Sequence, residues 1–385
     1  NELYGPYPYR QCRILEFPYG SYAASFPNTI PFSENIGFVL DVNPDDPEDL
    51  DMPFWVTAHE MGHQWWPHQV SGGNVQGSAF LSEGLAEYSA VSLLAKEKGE
   101  KQLRKFLKYE LDKYLNGRYQ EQKFEPTIVQ TEGHSYIHYN KAGLMMYTLS
   151  DFIGKDVFNS ALGRFIDKFR YQSNPYTNIG EFVKTIREDT PDDLQYLITD
   201  TFEKITLYEN KAKEASAVEN GDGTFTVTIE VEAKKVYSDS LGNQTNAELN
   251  DWLEIGVLGE TLVNGDMEEI PIYLEKVLIT DSLTIFTVEV DQKPIKAGID
   301  PMHKFVDRDS DDNLVRVSVR IADSNESEEA FRKLIRQDLE DGNMMFNMPE
   351  DIDPVRGQEI IQEELVKKFG GDVQMKTMNV GKGNH

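Results

Sequence analysis

The stretch Thr57–Trp66, "TAHEMGHQWW", places His59 and His63 four residues apart with Glu60 directly after the first. On an α-helix, residues four apart share a face, so the two imidazoles can be presented to one ion. Glu60 is rotated by about 100° from His59, within reach of a water on that ion without being a ligand itself. This H-E-x-x-H arrangement suits zinc, which takes nitrogen and oxygen donors and keeps one position open for water in hydrolytic sites. The pattern alone also arises by chance on surface helices, so a third ligand decides between the two readings. "FLSEGLAEYSA" (80–90) supplies Glu83 inside an otherwise apolar helix. An ionised carboxylate is costly there unless paired or metal-bound; the alternative is a solvent-facing residue. Glu87, one turn later, reads either as exposed or as a carboxylate behind the ligands.

The elements that carry these residues are helical. The patterns "FWVTAHEMGHQWW" (54–66), "FLSEGLAEYSAVSLLAKEKG" (80–99), "KQLRKFLKYELDKYL" (101–115) and "YNKAGLMMYTLSDFIG" (139–154) predict helices, with further ones near 156–171 and 178–205. Gly99 and Gly154 stand where helix stops are expected. Two extended runs precede them, "CRILEF" (12–17) and "NTIPFSENIGFVLDV" (28–42), the latter with Pro31 early in it. The acidic, proline-bounded loop "NPDDPEDLDMP" (43–53) follows. Beyond about residue 206 the pattern changes to alternation. "TFTVTIEVEAKKVY" sets Phe225, Val227, Ile229 and Val231 on one face, and "DWLEIGVLG", "IPIYLEKVLI", "SLTIFTVEV" and "NLVRVSVRIA" follow at short intervals. Such a series predicts an Ig-like β-sandwich over 206–322. A polar linker, "DSNESEE", then leads to two short helices (327–340 and 355–369) and a final strand, "DVQMKTMNV" (372–380).

At 385 residues, two or three domains are expected. Asp and Glu number 66 against 38 Lys and Arg, a formal charge of −28, which argues against nucleic acid and against anionic lipid as partners. The one cysteine, Cys12, permits no intramolecular disulfide and reads as a small buried hydrophobe. Trp65 and Trp66 read as core, and His68, His134 and His303 as surface or satisfied loop residues. His138 is a candidate for the cleft, and "DRDSDDN" (307–313) is an acidic turn rather than an EF-hand, since Asp312 stands where glycine is required. No run is long enough to span a membrane and no signal peptide is visible. The opening "NELYGPYPYRQCRILEF" reads as the middle of a longer protein.

Taken together, these motifs resemble the zinc aminopeptidases related to aminopeptidase N and leukotriene hydrolase. That family carries H-E-x-x-H-Q-W-F and, further on, N-E-G-F-A; here the strings are His59–Trp66, "HEMGHQWW", and Ser82–Ala86, "SEGLA". The interval from His63 to Glu83 is one residue longer than the usual family pattern, and the glycines of "HQVSGGNVQGS" can absorb it. The family's Gly-x-Met-Glu-Asn strand corresponds to Pro31–Asn35, "PFSEN", which keeps Glu-Asn and loses the glycine and methionine. "HYNKAG" places Tyr139 and Lys141 where the family has Tyr-x-Lys-Gly, with Ala142 in place of the glycine. More closely, "HEMGHQWWPHQVSGGNVQG", "YIHYNKAG" and "KAGIDPMHKFVDRDSDDN" are similar to a bacterial subgroup in which the peptidase domain trails an ABC-transporter permease.

The resemblance implies a multidomain α+β chain: a thermolysin-like zinc peptidase domain (1–205), the β-sandwich (206–322) and a small α/β tail (323–385). It implies one zinc ion per chain on His59, His63 and Glu83, with Glu60 as general base and Tyr139 steadying the tetrahedral intermediate. Glu34, with Asn35, would clamp the free amine of a peptide substrate, and the "PFSENIGFV" edge would hydrogen-bond its backbone. It also implies a soluble fragment, the extracytoplasmic part of a membrane-anchored bacterial protein with transporter-like segments; a cytoplasmic location stays open. Two other readings stand beside the aminopeptidase: a zinc endopeptidase, for which the altered Glu-Asn flank leaves room, and a peptide-binding or regulatory module of a transporter with little turnover.

Overall fold

The computed structural model describes residues 3–369, apart from 19, 21, 44, 45, 47, 48, 264, 265, 322, 323, 343, 345, 350, 351 and 353. Two short strands open the chain, β1 (Arg13–Phe17) and β2 (Thr29–Ser33), paired in parallel with Arg13 opposite Thr29. The extended run expected through residue 42 stops at Ser33. A single helical turn, α1 (Glu34–Gly37), follows at once and brings Phe38 edge-on to the buried Phe32 ring at 6.3 Å. Both edges of β2 are already taken. β1 holds one, and on the other Ala24 and Ser33 donate backbone bonds that join Pro31 and Tyr22 across the gap. The expectation of a free strand edge for a substrate backbone is corrected accordingly.

The next segment is helical: α2 (Met52–Gly62), α3 (Leu85–Gln120), α4 (Ala142–Ile153), α5 (Lys155–Phe169), α6 (Ile179–Asp189) and α7 (Gln195–Phe202). The Asp51 carboxylate caps α2 by accepting from the Phe54 amide at 3.1 Å, and Pro53 occupies its first turn. α3 is broken at Gly99, and Gly154 separates α4 from α5, as expected. The helix predicted over 178–205 divides at Thr190–Pro191, where the ring of proline disfavours helical geometry in the preceding residue. Two wider π turns stand out, Phe80–Gly84 leading into α3 and Tyr136–Lys141 leading into α4.

Eleven strands follow in three sheets among the described residues. They are β3 (Ile205–Tyr208), β4 (Lys211–Glu219), β5 (Phe225–Glu232), β6 (Lys235–Ser238), β7 (Gln244–Asn246), β8 (Asp251–Val263), β9 (Asp266–Ile279), β10 (Leu283–Val290), β11 (Lys296–Ile299), β12 (Leu314–Arg316) and β13 (Ser318–Ile321). Their orders are β10-β5-β4-β13, β12-β11-β8-β9 and β3-β6-β7. The alternation read in β5 holds, with Phe225, Val227, Ile229 and Val231 all buried. "NLVRVSVRIA" is not one strand: β12 pairs with β11, while β13 crosses to lie parallel to β4. The chain therefore changes sheets at Val317, whose amide is held by the Ile295 carbonyl.

The helical and β parts share one apolar core, continuous from Tyr4 to Val306. Buried charges reinforce that junction. Lys235 on β6 lies 2.6 Å from Asp200 on α7 and 2.9 Å from Asp251 on β8, all three withdrawn from water. Lys304 bonds Glu254 on β8 and, at 2.9 Å, Asp151 on α4. The last two helices, α8 (Ser324–Glu340) and α9 (Pro354–Phe369), close a separate small core around Phe331, Ile335 and Ile360. The strand expected at 372–380 lies outside the described residues. No described helix is long and apolar enough to cross a membrane.

Two single-residue expectations are corrected. Cys12 is exposed, because the adjoining β1 is itself solvent-facing; its Sγ rests 3.6 Å from Met61 Sδ. His303 is buried rather than at the surface, in a turn after β11 where its backbone N–H donates a hydrogen bond to the Asp300 carbonyl. Trp65 and Trp66 are core, as read. Replacing Lys235 with Met leaves Asp200 and Asp251 buried without their cation. We predict a loss of about 3–5 kcal/mol in urea unfolding, partly recovered by adding Asp200→Asn and Asp251→Asn. A loss below about 1 kcal/mol would contradict the assigned role of this triad.

Candidate metal centre

The centre forms where α2 meets the start of α3, and the approach is close because a glycine lies between the two histidines. A Cβ at Gly62 would stand 3.0 Å from the Ala86 Cα and 3.1 Å from the Ser89 Cβ. Gly84, directly after Glu83, serves the same purpose between the π turns: a Cβ there would meet the Phe80 ring at 2.8 Å and Ala142 at 3.0 Å. Each π turn inserts a residue into the helical ladder and re-aims its side chain. One thereby points Glu83, and the other Tyr139, toward the histidines of α2.

The donor atoms converge. Glu83 Oε2 lies 3.4 Å from His59 Nε2 and 3.2 Å from His63 Nε2. A tetrahedral ion with bonds of about 2.0–2.1 Å has ligand-to-ligand edges of about 3.3 Å, so these separations fit zinc. The other ring nitrogens are already engaged. His59 Nδ1 bonds Glu87 Oε2 at 2.6 Å, and His63 Nδ1 bonds the Trp66 carbonyl at 2.5 Å. Both Nε2 atoms are thus left for a metal, with acceptors behind them that orient the rings. Glu60 is buried beside them, its donor atom grouping with those of His59 and His63 within 4.8 Å, and its Oε2 has no partner.

The electrostatics favour positive charge at the point where the donors meet. Burial works against a charged His59, yet Glu87, Glu83 and Glu60 together raise its pKa to about 10. Burial likewise opposes ionisation of Glu83, but the two imidazoles hold its carboxyl well below the usual range. Glu60 is pushed up, first by burial and then by Glu83 and Glu87 against the pull of the histidines. A carboxyl raised in this way is suited to accept and return a proton.

Tyr139 lies over His59, with ring centroids 5.8 Å apart, and burial together with Glu83 raises its hydroxyl pKa, so it stays a proton donor. His138 is buried against Tyr139 at 4.8 Å, and its Nδ1 has no partner. The turn that carries them is anchored from below. Asn140 donates to Glu110 Oε2 at 2.9 Å, and Lys141 is buried over the Tyr114 ring. Burial, and then Glu87, push the Glu110 pKa well above the usual carboxylate range.

Glu34 and Asn35 are not part of this cluster. They stand on α1, which packs against α2; Asn35 donates to the Gly20 carbonyl at 3.2 Å. Among the described residues no hydrogen bond or ion pair joins either to His59, His63 or Glu83. Gln64 ties this flank to the metal helix, its side chain bonding the Asn28 amide, Ser25 Oγ and the Phe26 carbonyl. Sequence reasoning left Glu87 undecided and missed Glu110 altogether. Its one signal is a carboxylate between Leu107 and Leu111, on the apolar side of α3.

A family model, the peptidase family M1 domain, matches residues 1–202. Comparison with curated protein sequences finds no match. Among solved structures the chain is similar to an M1 zinc metallopeptidase variant from Deinococcus radiodurans, at 15% identity and TM-score 0.39, covering 52% of this chain and 41% of that one. Aminopeptidase A of Legionella pneumophila, crystallised with aspartic acid, aligns at 16% identity and TM-score 0.44 over 94% of this chain and 38% of its own. Yeast LTA4 hydrolase aligns at 19% identity and TM-score 0.40, over 51% and 31%. The chain thus spans about two fifths of the length of the first of these. Zinc is the metal of this family, and the donor set fits it.

The carboxylates around His59 raise its pKa to about 10, and zinc takes the neutral imidazole, so metal binding is expected to release a proton. Calorimetry at pH 7.5 in buffers of different ionisation enthalpy should show release of about one proton per zinc, with affinity rising as pH rises. Glu87→Gln should weaken zinc binding by about 10–100-fold. An unchanged affinity would remove Glu87 from the centre.

Proposed function

Because the chain belongs to peptidase family M1, we propose that it is a zinc metallopeptidase acting as an aminopeptidase, with His59, His63 and Glu83 as ligands for one ion per chain. The observation that carries this reading is the convergence of the two Nε2 atoms on one Glu83 oxygen, beside the buried, unpartnered Glu60 Oε2. Zinc, when bound there, supplies Lewis acidity for the attacking water and the scissile carbonyl. Glu60 takes the proton of that water as it attacks and hands it to the leaving amine, a role its raised pKa supports. Tyr139 keeps its hydroxyl proton and donates a hydrogen bond to the developing oxyanion. Glu87 and the Trp66 carbonyl fix the two imidazoles, so little reorganisation accompanies the step.

The exopeptidase part of the proposal rests on Glu34. Its carboxylate has no hydrogen-bond or ion-pair partner among the described residues and stands on the turn that packs against α2. There it would receive the ammonium of a peptide and leave the first peptide bond at the metal, with Asn35 shaping the same turn. The division into a peptidase domain (1–205), an Ig-like sandwich (206–322) and an α/β tail (323–385) belongs to the same proposal, as does membrane anchoring. The transporter linkage rests on the sequence likeness alone.

Zinc-loaded protein is to be given one peptide in two forms, free and amino-terminally acetylated, with products read by mass spectrometry. Stepwise shortening of the free form only is the expected result. Glu60→Gln should lower turnover by about 10²–10⁴-fold while keeping the metal, and Glu34→Gln should raise KM more than it lowers kcat. Internal cuts in both forms would replace the aminopeptidase reading with an endopeptidase.

A further inference from the structure

A cavity of about 590 Å³ opens where the far half of α3 faces the β9 edge and the turn after β11, and it shares no residue with the metal centre. α3 lines it with Lys101, Arg104, Lys105, Lys108 and Lys113. The acids on its wall are three, Asp112, Glu268 and Glu269, so cations are in excess there, although the chain as a whole carries −28.

The acids are partly committed. Glu268 meets Lys101 at 2.7 Å, and Glu269 is shared between Arg104, at 3.4 Å, and Lys296 outside the cavity. Lys108 sits 2.6 Å from Asp112 and 3.4 Å from Asp311, and Lys105 donates to the Asp46 carbonyl at 2.7 Å. Among the described residues no carboxylate lies within ion-pair distance of Lys113, although Glu110 feels its charge; its ammonium lies 5.2 Å over the Tyr109 ring. Leu50 and Met267 add apolar wall.

The second observation is His303. It lines the same cavity, is more than nine-tenths buried, and its Nδ1 has no hydrogen-bond partner. Burial, with Arg104 and Lys108 nearby, pushes its pKa down to about 3, so the imidazole is neutral at pH 7 and one ring nitrogen is a donor. Its backbone is left-handed at φ 56°, as is that of Asp300 at φ 43°, a costly geometry for residues other than glycine. The Asp300 carboxylate holds the turn by accepting from the Lys304 amide at 2.9 Å and the Phe305 amide at 3.1 Å. A buried, neutral imidazole set among cations is poorly placed for packing and well placed to donate to an anion.

We propose that this cavity is a binding site for a small organic molecule bearing an oxyanion group, carboxylate or phosphoryl, held by Arg104 and Lys113 with His303 as a neutral donor. Guanidinium and ammonium groups bind both oxyanions, and the Tyr109, Leu50 and Met267 walls accommodate an apolar body.

The test uses the full chain loaded with zinc, at low ionic strength, titrated calorimetrically with phenyl phosphate and, separately, with phenylacetate. Saturable binding of either probe is expected, weakened at least tenfold by Arg104→Met and by Lys113→Met and weakened further by added salt. Lys113 is exposed, so its replacement leaves the fold intact and keeps the test decisive where Arg104→Met is poorly folded. Tighter phenyl phosphate assigns the site to phosphoryl groups, and tighter phenylacetate to carboxylates. Absence of binding by both probes, or binding that Lys113→Met leaves unchanged, overturns the proposal; the latter is also what a probe bound at the metal centre would give.

Discussion

Two imidazoles and a carboxylate, largely withdrawn from water, converge on one point, and that concentration of donors needs a cation. The surrounding structure meets this requirement. The surrounding carboxylates raise the His59 pKa to about 10, which shows how strongly they favour positive charge at this point. Burying Glu83 would otherwise cost several kcal/mol. The glycines that let α2 approach α3 and the π turns that re-aim Glu83 and Tyr139 all bring donors to that point. So does the Glu87 carboxylate behind His59; its burial pushes its pKa up and is offset only in part by the pull of His59.

The β sheets contribute by holding the helices still. α4 and α7 are pinned from the sheet side by Lys304 with Glu254 and by Lys235 with Asp251, and the apolar core runs through both parts without a gap. A shift in α4 would carry with it the π turn that presents Tyr139. The precision of the centre therefore depends on residues far from it in sequence, a dependence expected of a site built on rigid elements.

How much of this was legible differs residue by residue. His59, His63 and Glu83 were visible because four-residue spacing and a carboxylate among apolar neighbours leave a local mark. Glu87 was ambiguous because an i+4 position on a helix is solvent-facing or inward depending on what packs there. Glu110 and Asn140 meet only through tertiary structure, across 30 residues of chain. Strand β4, "KAKEASAVE", has a helix-like composition and becomes a strand by pairing with β5 and β13, so context overrides propensity. The turn after Ser33 was hidden for a similar reason: it is stabilised by Phe38 on Phe32, a contact that alternation does not encode. His303, on a polar loop, gave no sign that it would be buried.

The central claim is the identity of the donor set, and X-ray absorption at the zinc edge of the stoichiometrically loaded protein tests it most directly. The expected result is one zinc per chain with only nitrogen and oxygen neighbours at about 2.0–2.1 Å, multiple scattering from two imidazoles, and loss of one imidazole in His63→Ala. A sulfur shell near 2.3 Å, or scattering from three imidazoles in the unaltered protein, would contradict it and move the metal away from His59, His63 and Glu83.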